Sequence, residues 1–301
     1  MKRLLLTACL SLLALAPAGC TSQDKGPKAD APSTDAAKDE ASPGAAEDAG
    51  EAPAAPALPA GEALLAECVA ASGGEQAIAR FESVHAKGKI DTGKQKLRGE
   101  SELWWRKGGE FYVEQEIEGV GKSRAGYDGE VMWTEDPITG LRRLEGEEAA
   151  SYLQSAMMFP AHQWREHFSA AVTKGKKTLE DGGEIWEVEL QSADGPELTL
   201  GLDVETKLIR TMKTDQVTSM GTMPVEITVE DYGEVEGYKF AMTKRSSITG
   251  LLELEEKTTE FAANVELDPG IFAFPATREL VPADPSAQPP VEAPAPTPEK
   301  P

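Results

Sequence analysis

Cysteine and histidine are scarce: three of each in 301 residues. Metal centres and disulfide-stapled domains need several such residues at fixed spacings, so both classes are disfavoured. Basic residues are outnumbered, 30 against 52 acidic, for a formal charge of −22. Phosphate binding needs a basic footprint, so no nucleic-acid partner is expected. The imbalance is not confined to the ends: Gly61 to Ala276 holds 40 acidic and 23 basic residues. At 40% hydrophobic, the chain is too poor in apolar residues for a multi-span membrane protein and adequate for one soluble core.

The motifs of common chemistries are missing too. There is no His-Glu-x-x-His, no Cys-x-x-Cys and no Gly-x-Ser-x-Gly elbow, so no catalytic residue, metal ligand or cofactor is assigned. His162 and His167 are five apart and diverge on a helix. Glu147-Glu148 and Glu255-Glu256 are adjacent and point apart, as residues of solvated faces do. Glu116 to Ser123 ends in Gly-Lys-Ser, yet a phosphate loop needs Gly where Glu116 stands and a helix after Ser123. A hairpin turn is the better reading.

What is present begins with an address. Lys2 and Arg3 precede the apolar Leu4–Leu6 and Leu10–Ala16, and Pro17-Ala18-Gly19 lead to Cys20. This is the layout of a secretory signal over 1–19, short for a spanning helix. It resembles a bacterial lipoprotein signal, which implies lipidation of Cys20 and a membrane anchor through that lipid. The alternative is an ordinary signal cleaved near Gly19, with Cys20 incidental. Thr21 stands where some inner-membrane lipoproteins carry Asp, which favours the outer membrane, facing the periplasm. Cys9 leaves with the signal, so Cys68 is the one thiol remaining beside Cys20. It sits among Leu64, Leu65 and Val69 and reads as a small core residue.

Residues 20–60 follow as a tether: Thr21 to Ala60 holds 13 Ala, 6 Pro, 8 acidic residues and no aromatic. Such a segment cannot bury enough apolar surface to offset the entropy of ordering. Its reach as a flexible chain is about 35 Å. Residues 277–301 form a second such tail, with 8 Pro in the 21 residues from Val281.

Between them, 61–276 reads as one β-rich domain. Leu64, Leu65, Cys68 and Val69 recur at helical spacing until Gly73-Gly74; Ala77, Ile78 and Phe81 mark a second short helix. The period then becomes two. Val84, Ala86, Gly88 and Ile90 share one face, as do Ser101, Leu103 and Trp105, and then Phe111, Val113, Gln115 and Ile117. Val131 and Trp133 fall in a further strand. Glu147 to Met158 returns to helical spacing up to Pro160, with Ala161 to Phe168 as a second piece. Strands resume with Trp186, Val188 and Leu190; Leu198, Leu200 and Leu202; Val225, Ile227 and Val229; Tyr238, Phe240 and Met242; and Leu252 and Leu254. The expected fold is α+β: a single strongly curved antiparallel sheet of about 10–11 strands, with helices covering its concave face.

A curved sheet leaves a volume that short helices fill imperfectly, and concave apolar sites hold ligands. The candidates to line it are Leu103, Trp105, Phe111, Val113, Trp133, Met157, Met158, Trp164, Trp186 and Leu200, together with Phe159. The competing reading of each is a plain core residue.

Four segments carry a resemblance: Ala71 to Ile78, Gly126 to Trp133, Asp136 to Gly140, and Asn264 to Asp268 leading to Phe274-Pro275. Together they resemble the LolA/LolB-like group of bacterial envelope proteins, in particular its lipoprotein members. The resemblance implies an incomplete β-barrel with a helical lid and an apolar cavity. Relatives in that group carry lipoprotein acyl chains, receive them at the outer membrane, or sense envelope lipids. The carrier itself has no anchor, so Cys20 disfavours that role. The leading expectation is a lipid-anchored cell-envelope protein that binds an acyl chain or another hydrophobic ligand and is not an enzyme. The alternative is an envelope sensor or interaction protein that contacts a protein partner and holds no lipid cargo. A hydrolase is the weakest of the three readings.

Overall fold

The structure, a computed structural model, describes residues 57–275 except 220, 249–251 and 269. The signal, Cys20, nearly all of the tether and the C-terminal tail lie outside the described residues. The elements in chain order are α1 (Gly61–Ala71), α2 (Glu75–Ile78), β1 (Ser83–Asp91), β2 (Arg98–Arg106), β3 (Phe111–Ile117), β4 (Gly121–Tyr127), β5 (Met132–Asp136) and β6 (Gly140–Leu144). Then come α3 (Gly146–Ser155), α4 (Pro160–His167), β7 (Ala170–Thr178), β8 (Glu184–Gln191), β9 (Leu198–Asp203), β10 (Ile209–Thr218), β11 (Gly221–Val235), β12 (Tyr238–Ile248) and β13 (Leu252–Ala263).

All thirteen strands form one open antiparallel sheet in the order β6-β5-β4-β3-β2-β1-β13-β12-β11-β10-β9-β8-β7. The chain lays down one half from its middle outward, crosses by α3 and α4, and returns along the other half. β1 and β13 then pair at the centre, Val84 opposite Ala263, with a bulge between Lys87 and Gly88. Every other pairing is a hairpin between consecutive strands, so most of the sheet is built from local contacts.

The two strands beyond the expected count are β6 and β10. β6 reads Gly-Leu-Arg-Arg-Leu, and β10 carries Thr214 and Gln216 at positions paired with Leu198 and Met223. Hydropathy does not announce either one. Glu116 to Ser123 forms the β3–β4 hairpin, with Gly119 and Gly121 in the positive-φ region that its turn requires. Pro160, which the helical pattern places as a stop, is also the first helical residue of α4, where its missing N–H costs nothing.

The helices pack on the concave face. α1 buries Leu64, Leu65, Cys68 and Val69, and ends as Gly74 N–H donates to the Val69 carbonyl at 2.8 Å. A Cβ on Gly73 would lie 2.2 Å from the Gly237 carbonyl oxygen, so glycine lets this turn press against the β11–β12 hairpin. At its other end α1 rests on β7: a Cβ on Gly61 would meet the Ala171 carbonyl oxygen at 2.5 Å. Thr173 Oγ1 donates to the Pro59 carbonyl at 2.6 Å, covering part of this edge strand. Phe81, Phe159, Tyr238 and Phe240 meet at the centre, with ring centroids 4.8–6.4 Å apart. Buried aromatic rings of this kind contribute about 1.5–3 kcal/mol each by area, with a further increment from tilted and edge-on contacts.

Candidate hydrophobic-ligand site on the concave face

Strand alternation sends two kinds of side chain to the concave face. The first is apolar. Leu103, Trp105, Phe111, Val113, Met157, Met158, Trp164, Trp186 and Leu200 all fall in one cluster with the helices' buried faces. Leu103, Met158 and Trp186 are half-buried, and the other six are buried. The volume they enclose is filled: Trp105 meets the Phe159 ring edge-on at 5.6 Å, and Phe159 is 2% exposed. Two concavities mark the described surface, and Trp164 borders the second of them. One, of about 260 Å³, lies over β9–β11 beside Thr199, Lys213 and Glu226; the other, of about 230 Å³, is a groove between α1 and α4.

Trp133 is a correction: it lies on the opposite, convex face. Asp128 Oδ1 accepts from the N–H groups of Glu130 and Val131, so Val131 belongs to the turn and the strand begins at Met132. Met132 and Thr134 then face inward and Trp133 outward. The indole lies over Gly126, where a Cβ would come within 2.6 Å of the ring. It continues a row across the strands: His85 to Trp104 at 5.0 Å, Trp104 to Tyr112 at 5.2 Å, Tyr112 to Trp133 at 5.9 Å. The chain after β13 folds back over its end. Trp133 Nε1 donates to the Phe272 carbonyl at 3.1 Å, and Phe274 packs against the indole at 6.4 Å. Arg106 and Arg143 lie over the rings of Phe272 and Phe274.

The second kind is polar. Lys244 follows Tyr238, Phe240 and Met242 in phase on β12, and Glu256 follows Leu252 and Leu254 in phase on β13, so both turn inward. Lys244 Nζ lies 3.2 Å from Glu256 Oε2, and the side chains are 35% and 23% exposed. Ser101 Oγ donates to Glu256 Oε1 at 2.6 Å, although β1 lies between their strands. Gly88 permits this reach: a Cβ there would sit 2.6 Å from Ser101 Oγ. Burial opposes ionisation of Glu256, but Lys244 and the Ser101 hydroxyl outweigh it and hold the carboxyl below its ordinary range. Glu255 and Glu256 do point apart, Glu255 outward to Arg245; Glu256 is not on a solvated face. The signal for it was a charge in the apolar phase of each of two neighbouring strands.

α3 closes one side of this face through polar contacts. Arg142 on β6 grips Glu148 at 2.8 and 3.3 Å. Ser151 Oγ accepts from Val217 N at 3.0 Å, and Ser155 Oγ donates to Gln216 Oε1 at 2.9 Å. Gln154 Nε2 donates to Ser192 Oγ at 3.0 Å. Gln154 Oε1 and Gln216 Nε2 are buried without a protein partner, as are Thr134 Oγ1 and Arg142 Nε; sites of this kind hold ordered water.

Cys68 is 1% exposed, and burial pushes its thiol up to about 11, so it is not poised as a nucleophile. Burial lowers the His167 imidazole. Among the described residues no group of three or more His, Cys, Asp or Glu could hold a metal, and no helix is long and apolar enough to cross a membrane.

The sequence matches no protein-family model and no curated protein. Similar solved structures include a LolA superfamily protein from Nitrosomonas europaea, at 10% identity and TM-score 0.48, covering 72% of this chain and 98% of that one. A DUF1329 family protein from Desulfovibrio piger is similar at 13% identity and TM-score 0.48, covering 72% and 98%. A putative outer membrane lipoprotein-sorting protein domain from Vibrio parahaemolyticus is similar at 13% identity and TM-score 0.45, covering 69% and 97%.

Proposed function

We propose that this chain is a lipid-anchored envelope protein that binds an acyl chain or another hydrophobic ligand on the concave face of its half-barrel. The observation that carries this reading is the lining of that face. Two halves of an open sheet turn apolar side chains toward short helices, and among the described residues no second sheet covers them. Besides its apolar packing, the helical cover is held at α3 by a few hydrogen bonds and one ion pair, without the continuous backbone ladder that a second sheet would have. A ligand would enter by taking the place of side chains on the α3–α4 connection such as Met157 and Met158, which adapt to irregular apolar partners. The reading needs no catalytic group, and the protein acts in it as a binding module. The anchor is Cys20 and the expected place is the periplasmic side of the outer membrane; both rest on the sequence of residues outside the described part.

The test is native mass spectrometry of the purified full chain, with lipid analysis of what dissociates. A reproducible acyl species supports the reading. A chain that arrives empty and also rejects added fatty acids overturns it. That result would favour the second reading, an envelope sensor or interaction protein, to which the filled interior is equally suited. Metabolic labelling with palmitate, lost in a Cys20→Ser variant, tests the anchor separately.

A further inference from the structure

We propose that Lys244, braced by Glu256 and Ser101, is the station for an anionic headgroup, so that the ligand of the concave face is an acidic amphiphile and not a neutral one. The inference rests on the hydrophobic-ligand reading above and specifies the chemistry of that ligand.

An ion pair turned toward an apolar interior is weak as a stabilising device. Desolvating both charges costs about as much as their attraction returns, and two well-packed apolar side chains do as well or better. On β12 and β13 the neighbours in phase are Met242 and Ser246, and Leu254 and Thr258, so each charge stands where an apolar phase passes into a hydroxyl-bearing one and neither neighbour requires an ion pair. The charges are nevertheless held in place. Glu256 is fixed on one oxygen by Ser101 and on the other by Lys244. That brace depends on Gly88 leaving room across β1.

The ammonium group is not used up by this arrangement. A lysine carries three N–H donors, and Glu256 is its ion-pair partner among the described residues. At 35% exposure Lys244 can still be reached. A carboxylate or phosphate oxygen could take a second donor while Glu256 keeps the first. The direction of the rest of the ligand follows from the strand. Met242, Phe240 and Tyr238 lead away from Lys244 on the same face, over about 20 Å at roughly 3.3 Å per residue. Head on Lys244 and chain along β12 is therefore one continuous path from polar to apolar.

The experiment titrates the purified full chain with three probes of equal chain length, read by tryptophan emission and calorimetry: palmitate, palmitoyl lysophosphatidate and neutral monopalmitoylglycerol. At least one acidic probe is expected to bind about tenfold or more tighter than the neutral one, and the tighter of the two tells carboxylate from phosphate. In a Lys244→Met, Glu256→Met double variant, which keeps the packing volume, the neutral probe should bind as before and the preference should vanish. Lys244→Arg keeps the charge and should keep the preference, which preserves the test if the double variant does not fold. Equal binding of all three probes by the natural chain overturns the headgroup assignment and leaves the hydrophobic-ligand reading standing. A preference that survives in the folded double variant overturns it as well. Failure of every probe to bind overturns both.

Discussion

On the concave side of the sheet, Phe81, Phe159, Tyr238 and Phe240 converge into one cluster; on the convex side, His85, Trp104, Tyr112 and Trp133 stand in a row, one per strand. The convex row comes from strands alone, whereas Phe159 of the concave cluster caps α4; Phe81 and Phe159 on one side and Trp133 on the other are buried. The difference lies in what covers them. The concave cluster is capped by helices that the sequence itself announces. The convex row is capped only at its Trp133 end, by Phe272 and Phe274 returning from the far end of the domain. Aromatic content and strand period therefore do not tell the concave side from the convex one; the cover does.

Deleting a ring from the concave cluster should show the largest effect. Phe159→Ala removes a ring packed against four other aromatic side chains and should cost about 3–5 kcal/mol in urea unfolding. The equivalent deletion on the convex side, Phe272→Ala, should cost less, about 2–3 kcal/mol, because a peripheral strap can settle into the gap. It should also shift tryptophan emission as Trp133 becomes hydrated. Equal costs at the two sites would erase the distinction between a shared core and a local cover.

A smaller effect is expected where the concave face turns polar. Gly88→Ala should displace Ser101 from Glu256 and cost about 1–3 kcal/mol; Gly88 lies in β1 and is not among the positive-φ glycines, so the cost is steric and not one of backbone strain. The smallest and most specific effect is on pH dependence. The Glu256 carboxyl titrates lower in the folded chain than its ordinary 4.5. Its stabilisation is therefore fully present above about pH 4.5 and is lost as pH falls through the lowered folded value. Urea midpoints of the natural chain and of Glu256→Gln should differ most near neutrality and converge as pH falls below 4.5. A gap that stays constant over that range would remove Glu256 as the titrating group.

Much of the fold was legible because strand period and turn chemistry are local. The faces of β1, β2 and β3 follow directly from alternation, and Gly73-Gly74 mark the end of α1. β10 was not legible, because Thr214 and Gln216 occupy its inward positions and meet α3 and β11 instead of the apolar cluster. Trp133 was misplaced by one residue of strand phase. That error moves every side chain of a strand to the other face. Nine of the ten proposed lining residues do come together in one cluster. Lys244 and Glu256 were visible only as charges out of pattern, since their pairing depends on which strands become neighbours.

By itself, the sequence determined an acidic, β-rich domain between two Pro-containing segments, its hairpins, and the apolar stripes of its helices. These depend on residues within one or two elements of each other. The tertiary structure decided that β1 and β13 meet at the centre of the sheet and that the C-terminal segment crosses the convex face. It also decided that a lysine, a glutamate and a serine from three different strands share one spot on the concave face. Trp133 and Phe272 are 139 residues apart and Ser101 and Glu256 are 155 apart, and no local pattern encodes such contacts.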